Sequence, residues 1–325
     1  MSELWITFSL ILVSLSAGYL YRFTALKREA ARAEELRRKA ATIQKGVITM
    51  IYPVTLTITF WNMKISSGTL ALFPLFGVCS HFMGGLFAVL ISRCLHHSRS
   101  QTGAMLTAGA FTNLGSFGGL VSYMYLGEAG YALATLFRLF ESVIYYSIGF
   151  PLARLYSSDT PPGTKWRFDL RALTQDPLFL FPIGGILLGT LLNWSGLPRP
   201  ELLGALLSPL VMASTTLMLI SVGLNMRFSA IGSFLREAIA VAGIKHLLLP
   251  ALLVTLGLLA GYGRLNGGLP LRVLIIVSSM PVAINSLIPP TLYKLDLDLA
   301  NSCWILSNGI FVVAILPLLY LVKVF

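Results

Sequence analysis

Ten long apolar stretches with almost no charge inside them leave this chain few ways to fold. They run over about 4–21, 47–63, 69–92, 102–125, 129–153, 178–194, 202–224, 235–261, 269–293 and 299–322. Crossing the hydrocarbon of a bilayer as a helix takes roughly 20 apolar residues, so each stretch is expected to be one transmembrane helix. The 325 residues are 56% hydrophobic and 11% charged, whereas soluble domains carry about 25% charged residues. Such a composition cannot cover a water-facing surface, and the expected fold class is an all-α integral membrane protein. Leu4 to Leu20 is expected to be the first membrane helix and not a cleaved leader, because no basic segment precedes it and no small-residue cleavage site follows.

Lys and Arg sort between the connections. Connections 1–2, 3–4, 5–6, 7–8 and 9–10 hold seventeen of them, while the other connections and the two ends hold five. Basic residues are retained on the cytoplasmic side, so both termini are expected on the non-cytoplasmic face of a plasma or inner membrane. The same sidedness accounts for the net charge of +11 without invoking nucleic acid. The first connection, 22–46, is the most basic. Its pairs Glu34/Arg38 and Glu35/Lys39 stand i,i+4 in the favourable order for a helix. Two roles are open to it: a solvated helix holding the cytoplasmic surface, or a segment that meets anionic lipid.

The connection 157–177, with Pro161, Pro162 and Gly163, divides the chain into halves 1–156 and 178–325. Asn62-Met63-Lys64-Ile65 closes the second stretch and Asn225-Met226-Arg227-Phe228 closes the seventh. These matching segments stand five stretches apart. Five is odd, so a repeat of five helices inverts relative to the membrane, an architecture that recurs in secondary transporters.

Helix breakers sit in matching stretches of the two halves. The fourth contains Gly109-Ala110-Phe111-Thr112-Asn113-Leu114-Gly115-Ser116-Phe117-Gly118-Gly119. The ninth contains Ser278-Ser279-Met280-Pro281-Val282-Ala283-Ile284-Asn285-Ser286, and Pro281 cannot donate a backbone hydrogen bond. Unwound backbone at membrane depth survives only where its polar groups are satisfied or line a cavity. Half-helices starting there present N–H groups and a partial positive charge suited to a carboxylate. Thr112, Asn113, Gly115, Ser116, Pro281, Val282, Ala283, Asn285 and Ser286 are therefore the expected substrate contacts. The structural alternative is a close-packing Gly115-xxx-Gly119 motif and a simple kink at Pro281.

Ionisable groups inside a membrane are functional candidates. Arg138 and Glu141, i,i+3 in the fifth stretch, form either an internal ion pair or part of a substrate site. Lys245, beside His246, neutralises a bound anion, fills the place of a cation, or has a structural partner. His81 is either a hydrogen-bonded core residue or a proton relay.

Other chemistry is disfavoured. The five Asp residues (159, 169, 176, 296 and 298) lie in connections, no GxxxxGK[ST] loop occurs, and Cys79, Cys94 and Cys303 lack metal-ligand spacing. No metal and no cofactor are expected, and the chain is not expected to be an enzyme; sodium or proton coupling stays open.

The runs Gly109 to Gly119 and Ser279 to Ser286, together with Pro53 ahead of Phe60, resemble the auxin efflux carrier family. That family includes plant auxin exporters and bacterial malate and malonate permeases. The resemblance covers nearly the whole chain. It implies ten helices in two inverted repeats of five, with broken helices 4 and 9 crossing, as in sodium/proton antiporters and bile-acid symporters. It also implies a scaffold of spans 1, 2, 6 and 7, a transport core of spans 3–5 and 8–10, an elevator motion, and a homodimer through the scaffold. Asn113 and Asn285 take the place of the family's crossover asparagines, and Pro53 and Val54 that of its scaffold contact. The long hydrophilic loop of the large plant members is absent.

The expected function is a secondary transporter for a small organic anion, an auxin-like monocarboxylate or a dicarboxylate. Membrane lipids and a second copy of the chain are its expected partners. The competing reading is a membrane sensor that keeps the carrier fold without transporting.

Overall fold

The computed structural model describes residues 2–28, 32–63, 68–161, 175–226 and 231–321. The chain is helical nearly throughout. In order it forms α1 (Ser2–Arg28), α2 (Ala33–Gly46), α3 (Tyr52–Trp61), α4 (Phe73–Cys94), α5 (Arg99–Ala110), α6 (Gly119–Phe137), α7 (Glu141–Ile144) and α8 (Phe150–Arg154). After the connection come α9 (Pro177–Trp194), α10 (Glu201–Gly223), α11 (Leu235–Gly243), α12 (Leu249–Leu259), α13 (Leu269–Ser278), α14 (Ile288–Leu292), α15 (Leu297–Ile310) and α16 (Leu316–Leu321). Within the described residues, six helical runs are long and apolar enough to cross a membrane: 4–27, 68–94, 177–194, 201–223, 232–259 and 297–321.

The other four expected spans are interrupted or shortened. Stretch 102–125 breaks at residues 111–113 and stretch 269–293 at 279–283. Stretch 129–153 was expected as one helix but divides at a turn over Arg138–Phe140. Stretch 47–63 is the far end of a longer helix. There α2 runs into α3 through a π turn, the three segments being 14, 5 and 10 residues long. At about 1.5 Å per residue that run extends about 43 Å, beyond the ~30 Å of hydrocarbon, so the basic α2 half stands outside the apolar layer.

Proline explains most of the π turns. Val47–Ile51, Tyr145–Gly149, Ile244–Leu248 and Phe311–Ile315 are π-helical, closed by the bonds Tyr52 N–Val47 O, Phe150 N–Tyr145 O, Leu249 N–Ile244 O and Leu316 N–Phe311 O. Each is followed two residues later by Pro53, Pro151, Pro250 or Pro317. A proline ring collides with the carbonyl one turn earlier and offers no N–H; one extra residue in that turn moves the carbonyl aside.

Contacts sort the helices into two compact units. The first comprises Met1–Ile65, Gly115–Ala132 and Thr174–Met226. In it, Gly18 of α1 meets the backbone of α10 at Ile220 and Gly223, while Gly185 and Gly189 of α9 meet α3 at Pro53 and Thr57; a Cβ at any of the three would collide with those atoms. Small residues let helix backbones approach in this way. Thr57 Oγ1 donates to Gly185 O at 3.1 Å, and Asn193 Nδ2 to Trp61 O at 2.7 Å. Arg199 grips both carboxylate oxygens of Glu128 and donates to Ile58 O at 3.1 Å. Gly127 breaks α6 with φ 69° and ψ −161°, a backbone region that side chains disfavour.

The second unit comprises Ser66–Leu114, Leu133–Leu173 and Arg227–Phe325. In it, Gly84 of α4 lies against Gly109 of α5, each occupying the space a Cβ of the other would need. The repeated segment closing the second and seventh stretches is described only in part. Asn62 caps α3 and Asn225 follows α10, bonding Nδ2 to Ser221 O at 2.9 Å. Lys64, Ile65, Arg227 and Phe228 lie outside the described residues, as do Pro162 and Gly163 of the connection.

Candidate functional site

The two interrupted helices of the second unit meet at their breaks. A capping box between Ser98 and Gln101 starts α5, which ends at Ala110; Phe111 then turns extended, with φ −91° and ψ 124°. On the other side α13 ends at Ser278, Pro281 blocks continuation, and Ala283 is extended at φ −73°, ψ 150°. The two extended segments pair antiparallel around Thr112 and Val282. Asn113 N donates to Pro281 O at 2.8 Å, and Ala283 N donates to Phe111 O at 3.1 Å. The proline that ends one helix thus supplies the acceptor that holds the other.

The pair's remaining backbone groups are met by the helices behind it. Thr112 N donates to the Tyr145 hydroxyl at 3.0 Å. That hydroxyl lies 3.0 Å from Thr112 O and 3.1 Å from Glu141 Oε1; with one proton, it donates to one of them at a time. Opposite, Val282 N donates to Ser307 Oγ at 3.2 Å, and Asn308 Nδ2 donates to Val282 O at 3.0 Å. Two histidines in corresponding places hold the preceding carbonyls. His81 Nδ1 lies 2.8 Å from Ala110 O, and His246 Nδ1 lies 3.0 Å from Ser279 O.

One charged chain leads into this crossing. Arg138 Nε donates to Glu141 Oε2 at 2.9 Å, so these two residues do form the internal pair. Glu141 continues through Tyr145 to Thr112, whose Oγ1 accepts from Lys245 Nζ at 2.7 Å. Lys245 has no solvent exposure, and no carboxylate among the described residues lies within ion-pair distance of it. A buried ammonium facing only a hydroxyl is costly at membrane depth.

Thr112, Asn113, Pro281, Val282, Ala283, Lys245, His81 and Glu141 are thus gathered in the second unit at or behind the crossing. Asn285 and Ser286 follow in the short helical turn Ile284–Leu287. Ser286 Oγ is fully buried with no partner among the described residues, and His81 Nε2 is similarly placed. Gly115, Ser116, Pro53 and Val54 belong to the first unit, where Gly115 O accepts from the Tyr52 hydroxyl at 3.2 Å and Val54 is exposed.

The arrangement corrects one expectation. The amides of Thr112, Asn113, Val282 and Ala283 are not open to a ligand, because each donates within the protein. Tyr145, Ser307 and Asn308 were missed by the sequence reading. Tyr145 stands four residues after Glu141, on the same helical face, and Ser307-Asn308 is a polar pair inside the tenth apolar stretch. Among the described residues no group of three or more His, Cys, Asp or Glu is placed to hold a metal ion.

No protein-family model matches the chain. A protein of Methanothermobacter thermautotrophicus named an uncharacterized transporter is 25% identical over 309 residues, which is 95% of this chain and 94% of that relative.

Proposed function

We propose that this protein is a secondary transporter that carries a small organic anion, a monocarboxylate or dicarboxylate, across the membrane by an elevator-type movement. The observation that carries this reading is the crossing of two broken helices above Lys245, a buried lysine with no carboxylate partner among the described residues. A cation so placed favours a negative guest nearby, since its own burial is then offset. The similarity to a protein named as a transporter, over nearly the full length of both chains, agrees with it.

The amides at the centre of the crossing are spent on holding the two breaks to each other and to the helices behind them. In the second unit, recognition therefore falls to the groups just beyond: the Ile284 and Asn285 amides, the Asn285 side chain and the unpartnered Ser286 hydroxyl, with Asn113 opposite. The elevator division draws its support from the contact grouping, in which the helices of expected spans 1, 2, 6 and 7 fall in one unit and most of the rest in the other. The remaining support for inverted halves is that breaks, histidines and the π turns before Pro151 and Pro317 recur in matching order. A membrane potential supplies about 2.3 kcal/mol per unit charge per 100 mV, enough to drive an anion without a second ion.

Flux of a carboxylate panel into liposomes tests the proposal. Asn113→Ala and Asn285→Ala are each expected to lower flux at least tenfold. Intact flux in both variants removes the site, and saturable binding without flux favours the sensor reading.

A further inference from the structure

The basic end of the first unit holds a cavity that the transport reading does not use. The last turns of α1, the middle of α2 and the end of α10 surround about 530 Å3, within the ~300–1,000 Å3 of small-molecule pockets. Ile43, Ile220 and Leu224 make its wall together with the Tyr21 ring, and Arg38, Lys39 and Glu35 stand beside them. Leu36 and Ala40 of α2 are buried against Leu224, with Ala25, Leu26 and Ile43 packed around them. That apolar edge fixes the face on which Arg38 and Lys39 stand.

The charges are unevenly committed. Lys39 Nζ lies 2.7 Å from Glu35 Oε1 and 5.7 Å from the Tyr21 ring centroid. Their hydrogen bond holds the Glu35 carboxyl below its usual range and the Lys39 ammonium above its own. Arg38 is 3.6 Å from Glu34 with its side chain 80% exposed, so its guanidinium still has donors to offer. Over the whole connection 22–46, eight Lys and Arg face three Glu. The apolar run of α1 ends at Lys27, which puts the cavity where hydrocarbon gives way to headgroups.

We propose that this cavity is a binding site for an anionic phospholipid, its phosphate met by Arg38 and Lys39 and one acyl chain lying on Ile43, Ile220 and Leu224. Basic pockets between membrane helices suit lipid headgroups of this kind. A soluble anion has no use for the apolar wall, and a zwitterionic lipid leaves the excess positive charge unanswered.

The test uses the full chain in detergent, with thermal unfolding followed as lipid is added. Phosphatidylglycerol is expected to raise the unfolding temperature by several degrees; phosphatidylcholine with the same chains, and glycerol phosphate without chains, are not. Arg38→Gln with Lys39→Gln is expected to abolish the rise, and so is Thr42→Trp, which fills the cavity from an exposed position and keeps the charges. Removing equal charge at exposed Arg93 and Arg236 is expected to leave the rise intact. The proposal is overturned if glycerol phosphate alone reproduces the rise, if the cavity variants keep it, or if the Arg93/Arg236 control loses it equally. Should the double variant fail to fold, Thr42→Trp decides.

Discussion

Tyr145 shows how much a single side chain settles at the crossing. Its hydroxyl serves the N–H and the C=O of Thr112 and reaches Glu141. Tyr145→Phe takes the acceptor from the buried Thr112 N–H and is expected to destabilise the protein by about 1–3 kcal/mol, measured by thermal or denaturant unfolding in detergent. Lys245→Met separates charge from packing. Replacing a buried charge by an apolar side chain of similar length is often neutral or stabilising, so unfolding should stay level or improve while anion binding and flux fall at least tenfold. A variant with normal flux would remove Lys245 from the mechanism. Asn113 and Pro281 were legible because Asn, Gly and Pro in mid-membrane stretches have few structural excuses. Tyr145, Ser307 and Asn308 were not, because their partners lie 33, 25 and 26 residues away. Nothing in local sequence says which carbonyl a distant hydroxyl will find.

Among elements, glycine contacts and proline-linked turns set the shape more than apolar length does. The α4–α5 crossing depends on Gly84 and Gly109 lying backbone to backbone. Gly84→Leu has no space at that point and is expected to prevent assembly of the second unit; size-exclusion profiles in detergent should show aggregation, whereas Gly46→Ala, where the added Cβ meets open space, should elute normally. Apolar runs located most helices from sequence, but they could not locate the divisions inside them. The turn at Arg138–Phe140 lies between apolar flanks, and its signal is only the charge of Arg138 and Glu141. Four of the π turns carry a clearer mark in Pro53, Pro151, Pro250 and Pro317, each two residues beyond the widened turn. A proline there reports that the helix continues with one residue more than an α-turn allows. In the same way, the basic connection 22–46 is largely the outward continuation of a membrane helix, which the Glu/Arg and Glu/Lys spacing foreshadowed.

At the scale of the whole molecule, the distribution of Lys and Arg predicts a sidedness that labelling can test. If seventeen of the twenty-four Lys and Arg mark the cytoplasmic face, exposed Cys94, next to Arg93, lies there too, while Cys303 is buried. A membrane-impermeant maleimide is expected to label Cys94 in inverted vesicles and to spare it in right-side-out ones. The opposite result reverses the orientation. The grouping of helices into two units was not available from apolar patterning, because every membrane helix presents a similar surface to that reading.

The chain passes from one unit to the other near residues 65, 114, 132, 173 and 226. Neither body is therefore one continuous piece of chain: the first is complete only once residue 226 has been made, and the second waits for the C-terminal residues. Expressed alone, 1–161 or 175–325 would contain fragments of both bodies and the whole of neither, and each is expected to be degraded. Made together in one cell, the two pieces should rescue each other.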